Sequence, residues 1–153
     1  MKTFGLVLAL VVTMGLGCAP GDVSGSSEAL TVGEQIVYEI PRPIPQSELV
    51  DLGDPTALGG EVLEGDPRIS ARFDYMSGPI SAGVFQVTRG KLRVFYPFTE
   101  HATILAGRVT ITDEAGRRHT YRPGDSYLIP QGSVVLVEVH SHFLQKSFLN
   151  IVE

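Results

Sequence analysis

Apolar and polar positions sort into short runs over most of the chain, and the runs repeat with turn residues between them. From Arg68 onward these are "ISARFDYM", "SAGVFQV", "KLRVFY", "HATILA", "RVTITD", "RHTYR", "DSYLIP", "VVLVEVH" and "FLQKSFLNIV". Each is rich in β-branched and aromatic residues and bounded by Gly, Pro, Asp or Ser, which is the pattern of strands closed by turns. Arg108-Val109-Thr110-Ile111-Thr112 alternates with a period of two, so one side of that strand faces a core and the other faces water. No segment has convincing helical amphipathicity. Regularly spaced strands of this kind predict an all-β sandwich or barrel of antiparallel strands. Ahead of them, "IVYEIPRPIPQSELVDLGDPTALGGEVLEGDP" holds five of the ten prolines. Proline fixes φ and removes a donor, so this part is expected to form short edge strands and arms wrapping the domain rather than helices.

The N-terminus follows a different pattern. "MKTFGLVLALVVTMGLG" has one cation, Lys2, then an uncharged apolar run, then small residues before Cys18. This is the arrangement of a secretory signal, and the apolar run is short for a membrane span of about 20 residues. Cys18 is the only cysteine, so no disulfide can form within the chain. A lone Cys after "GLG" resembles a bacterial lipobox, although Gly15 stands where that pattern usually has Leu. The resemblance implies cleavage before Cys18, acylation of Cys18 and, with Ala19 following, an outer-membrane lipoprotein facing the periplasm or the cell surface. The alternative is an ordinary secretory signal cut nearby, with Cys18 removed or left as a spare thiol. The Gly/Ser/acid-rich stretch after Cys18 reads as a tether. The expected organisation is a signal peptide over 1–17, a flexible tether over 18–35, a Pro/Gly-rich arm over 36–66 and a barrel over 67–153.

Bulk composition narrows the classes. With 153 residues, 43% hydrophobic and 19% charged, the chain has room for one domain with a core. Its formal net charge of −5 comes without a basic run, so nucleic acid is not an expected partner.

Two spacings within the strand-rich part carry more information. Glu100, six residues, then Gly107 is followed by the turn-rich "TDEAGRRHTYRPGD", and then by "GDSYLIPQG", in which Gly124, Pro130 and Gly132 mark a second motif. The pair resembles the two motifs of the cupin superfamily, which implies a small antiparallel jelly-roll barrel of the RmlC-like type. The longer series "EGDP", "SAGVFQVTRGKLRVFYPFTEHATILAGRVTITDEAG", "YRPGDSYLIPQG" and Lys146 looks like the branch related to (S)-ureidoglycine aminohydrolase and an ethanolamine-utilisation protein. It covers roughly residues 55 to 153. A fold of this kind hosts many functions, so it does not fix one.

Metal-binding cupins hold their ion with two histidines on one strand, a glutamate a few residues on and a third histidine after the second motif. Carried over by this resemblance, the positions are Val94, Tyr96, Glu100 and Val135. Only Glu100 matches, and valine has no lone pair to donate. The expected metal site is emptied, and no cofactor is expected. His101 follows Glu100 directly and should face the opposite side. His140 and His142 are expected in a solvated turn between the last strands, His119 on the surface, and Arg72 and Arg93 as surface charges. No GxSxG elbow points to a hydrolase.

The remaining candidates are Glu100 and Tyr96, facing a barrel lined by Val94, Ile104, Val135 and either Phe95 or Phe85. If buried, Glu100 needs a partner or a proton. Either Tyr96 or Lys146 satisfies it in a packed barrel, or it orients a ligand or works as a general acid/base in a small cavity with Tyr96 beside it. Lys146 is expected as an exposed strand residue, with carboxylate partner and anion anchor as the alternatives. Three functions follow as expectations. The first, preferred, is a lipid-anchored, metal-independent envelope protein whose barrel binds a small polar ligand or another envelope component through Glu100, Tyr96, Val94, Val135 and Lys146. The others are a divergent aminohydrolase-like enzyme using Glu100, and a structural module forming a homodimer.

Overall fold

The computed structural model describes residues 35–153. The expected signal peptide, Cys18 and all but the last residue of the expected tether lie outside the described residues. Nine strands follow one another: β1 (Val50–Gly53), β2 (Gly60–Gly65), β3 (Ile69–Ser77), β4 (Ile80–Phe95), β5 (Thr99–Ala106), β6 (Val109–Thr112), β7 (Arg118–Tyr121), β8 (Ser126–Ile129) and β9 (Val134–Ile151). Every pairing is antiparallel. Two single turns of 3-10 helix, Gln46–Glu48 and Pro55–Leu58, interrupt the proline-rich arm.

The strands make two sheets joined through shared members. One runs β1-β3-β4-β9-β5-β8, and the other adds β2 to the far half of β4 and β6 with β7 to the near half of β9. The long strands β4 and β9 pair with each other along nearly their whole length and turn the corner between the sheets together. The corner is a bulge: Thr88 pairs with Phe143 and Gly90 with Val139, so β9 spends more residues than β4 in passing it. An irregular step of this kind bends and twists a strand without ending it. Both halves thus begin and end at one mouth of the barrel and meet at its floor.

This corrects one expectation from the sequence. "SAGVFQV" and "KLRVFY" are one strand, and so are "VVLVEVH" and "FLQKSFLNIV". His140 and His142 therefore lie within β9 at the corner, not in a turn between strands. The β6–β7 connection is the expected tight hairpin, in which the Asp113 side chain accepts from the backbone N–H of Ala115 and Arg117 at 3.0 and 2.9 Å. Gly107, at φ 88°, leaves β5 against the corner of β9, where an added Cβ would collide with the Phe143 carbonyl.

Alternation fills the interior. Ile69, Val87, Leu92, Ile104, Val109, Ile111, Val137, Val139 and Leu144 form one core with the aromatic rings of Tyr96, Tyr127 and Phe148. A second cluster, Leu49, Val84 and Leu105 with Tyr38 and Ile44, lies on the outer face of the first sheet, where the N-terminal arm covers it. The arm is also held by a polar clamp: the fully buried Gln145 accepts from the Ile44 N–H at 2.6 Å and donates to the Ile44 carbonyl at 2.9 Å. One side-chain amide thus satisfies both backbone groups of an arm residue, as a neighbouring strand would.

Candidate functional site

Register stacks the interior of the first sheet in layers, counted from the mouth. The outermost layer runs Met76, Ser81, Asn150, Glu100, Ile129 across β3, β4, β9, β5 and β8. The second is Phe73, Gly83, Phe148, Ala102, Tyr127, and the third is Ala71, Phe85, Lys146, Ile104. Successive inward positions on a strand lie two residues apart, roughly 7 Å, so a lysine in the third layer reaches a glutamate in the first only if both side chains lean toward each other across roughly 14 Å.

Lys146 does so. From the third layer its ammonium reaches Glu100 Oε1 at 2.6 Å and Tyr127 Oη at 2.9 Å, and Tyr127 donates to the same Oε1 at 2.9 Å. Aromatic rings surround the cation, with ring centres of Phe85 at 5.3 Å, Tyr127 at 5.5 Å and Tyr96 at 5.9 Å from Nζ. The four polar members are almost wholly enclosed, with Glu100 3%, Tyr96 5%, Lys146 7% and Tyr127 8% exposed. An ammonium out of water is tolerable only when a carboxylate and hydrogen bonds replace its hydration, and the ring faces add cation–π attraction. Burial, and then the charge on Glu100, push both the Tyr96 and Tyr127 phenols well above their ordinary range. Both stay neutral, and Tyr127 remains a donor.

Lys146 is thus the second correction. Lysine is exposed on average, and the sequence reading followed that average. The alternation of Leu144, Lys146 and Phe148 turns it inward, and Glu100 compensates its charge. Tyr127 was not among the sequence-based candidates. Its signal was the apolar alternation of Tyr127 and Ile129 in "DSYLIP". Val94 and Val135 face each other across β4 and β9 as adjacent interior positions, close to Tyr96. Phe85 belongs to the interior, whereas Phe95 points outward and is 45% exposed.

The other candidates fall away from the centre. His101 and His119 are exposed. His140 Nε2 pairs with the Thr110 hydroxyl at 2.7 Å on the outer face of the second sheet. Arg93 sits on the surface 3.7 Å from Glu61, and Arg72 is drawn onto Asp74 at 2.7 Å beside the arm. Among the described residues no three His, Cys, Asp or Glu side chains converge on one point.

Comparison with known proteins fits this geometry. Residues 76–148 match the EutQ-like cupin domain family, a span running from the end of β3 into β9 and holding Tyr96, Glu100, Tyr127 and Lys146. The match spans just under half of the chain and supports a cupin-type domain there. The chain is similar in structure to EutQ from Clostridium difficile, at 15% identity and a TM-score of 0.53 over 72% of this chain and 81% of that one. It also resembles a protein of unknown function from Rhizobium leguminosarum bv. viciae 3841, at 19% identity and TM-score 0.51 over 56% and 82%. A DUF861-family protein of unknown function from Pseudomonas syringae pv. tomato matches at 18% identity and TM-score 0.58. That match covers 67% of this chain and 43% of the other. At such identities the likeness shows the jelly-roll fold alone. No curated protein matches the chain.

Proposed function

We propose that this protein is a lipid-anchored cupin of the bacterial cell envelope whose barrel binds a small polar ligand without a resident metal. The observation that carries the reading is the Lys146–Glu100–Tyr127 cluster. Glu100, the one side chain matching a cupin metal ligand, already accepts two hydrogen bonds on Oε1, one of them from an ammonium 2.6 Å away. A divalent cation there would have to displace or repel that charge. The other three positions, Val94, Tyr96 and Val135, bring no imidazole or carboxylate, so the donor set does not fit a transition metal. The Lys146 ammonium supplies the positive charge instead, fixed in place and balanced by Glu100. A barrel mouth lined by apolar walls with a few convergent polar groups suits a small ligand. The same geometry disfavours Glu100 as a general base, because its Oε1 already accepts from both of its neighbours.

The envelope location rests on the signal-like leader and Cys18, and Cys18→Ser tests it. The full-length protein is expected to partition with membranes, and the variant with the aqueous fraction; equal partitioning of the two overturns the anchor. Elemental analysis of full-length protein purified without a histidine tag, beside Glu100→Gln, tests the metal-free reading. Neither sample is expected to carry stoichiometric metal. Metal present in the native protein and lost in the variant would overturn it.

A further inference from the structure

Among the described residues one buried side-chain atom has no hydrogen-bond partner: the Asn150 carboxamide oxygen. Such an acceptor is costly to bury unsatisfied, and native interiors leave few of them. It is not in a random place. Asn150 lies in the outermost interior layer, directly opposite Glu100 on β5 and directly opposite Ser81 on β4. All three face inward by the alternation that also buries Ala102, Phe148 and Lys146. Directly opposed side chains have Cβ atoms about 4.5–5.5 Å apart, so three polar groups in one row can converge on a single small group above them.

The row lies at the rim of the interior, with Asn150 Oδ1 and Glu100 themselves enclosed. Ser81 and Asn150 are half-buried, and Met76 at the end of the row is 58% exposed. In the next layer Phe73, 41% exposed, packs edge to face on the buried Phe148, with ring centres 5.8 Å apart. A molecule entering the mouth would meet Met76 and Ser81 first and would displace them to reach Asn150 Oδ1. We infer that this row is a subsite for an uncharged ligand group that donates hydrogen bonds, an N–H or O–H such as a primary carboxamide or a hydroxyl, with Asn150 Oδ1 as its acceptor. Glu100 and Lys146 compensate each other, so the row offers no net charge to select an ion. This subsite rests on the small-ligand reading above and makes it specific. It also assigns Asn150 and Ser81, which no motif marked, as the residues that set specificity.

The experiment uses full-length protein labelled with 15N and 13C, titrated with acetamide and, in parallel, with N,N-dimethylacetamide. The second probe keeps the carbonyl and has no N–H to give. Acetamide at high millimolar concentration is expected to shift the Asn150 side-chain amide and the signals of Ser81 and Glu100 with saturation, and the dimethyl analogue to leave them unmoved. Asn150→Leu is expected to weaken acetamide binding by about tenfold or more, as loss of the one acceptor requires. It should also melt at a higher temperature than the native chain, because it removes a buried polar atom that folding leaves unpaired. If both probes shift these signals alike, or Asn150→Leu binds acetamide as well as the native chain, the subsite is wrong while the small-ligand reading stands. If neither probe moves Glu100, Lys146, Tyr127 or Asn150, both fall. A lower melting point in Asn150→Leu would make the carboxamide a structural element and would also overturn the inference.

Discussion

Lys146 and Glu100 are each tolerable inside the barrel only because of the other. Removing one member of an enclosed ion pair strands the remaining charge, at a typical cost of about 3–5 kcal/mol. Lys146→Met is therefore expected to destabilise the fold by about that amount in denaturant titration. Adding Glu100→Leu to it should recover most of the loss, because two apolar side chains of similar volume replace the pair. An additive double variant would mean that the two residues do not interact as the 2.6 Å contact indicates. This residue-level pairing was only half legible beforehand. The spacing from Glu100 to Gly107 marked the carboxylate, because that motif is local. Its partner sits 46 positions away and its second donor 27 away, and only strand register brings them within reach.

At the level of elements, the Gln145 clamp decides whether the arm belongs to the barrel. Gln145→Leu leaves the Ile44 N–H and carbonyl without partners and breaks the contact with Gln86 at 3.2 Å. The expected result is faster hydrogen exchange and proteolytic cleavage across residues 38–49, with exchange in β5 and β9 little changed. Unaltered protection of the arm would show that Leu49, Ile44 and Tyr38 hold it by apolar packing alone. The strands themselves were legible because alternation is written residue by residue, as in Val109 to Thr112. The corners of β4 and β9 were not. A bulge is a mismatch between two strands far apart in the chain, and each reads on its own as a break near Gly90 or around His140.

For the whole molecule, the enclosed phenols set a limit on the alkaline side. The folded pKa values of Tyr96 and Tyr127 are raised above the ordinary 10.0, so the neutral phenols favour the folded state. Their contribution is complete below about pH 10 and is lost as pH climbs from there toward the folded values. Ultraviolet titration is expected to show these two phenols ionising together with the loss of near-ultraviolet circular dichroism, as one unfolding step. Ionisation of both near pH 10 in a folded protein would contradict their enclosure. The jelly roll was readable at this scale from the two motifs and the hairpin between them. The mouth row of Ser81, Asn150 and Glu100 was not, because it is assembled from three strands and carries no motif of its own.

The central position of β9 also governs when the molecule can come into being. This final described strand supplies an interior member to both sheets and pairs with β4, β5 and β6. Until it is in place β5 and β6 have no neighbour joining them to β4, and Lys146 cannot reach Glu100. Most of its contacts bridge distant parts of the chain, an arrangement associated with slow folding. A chain in which β9 is not yet available therefore remains unfolded, and the barrel closes in a late step around that strand.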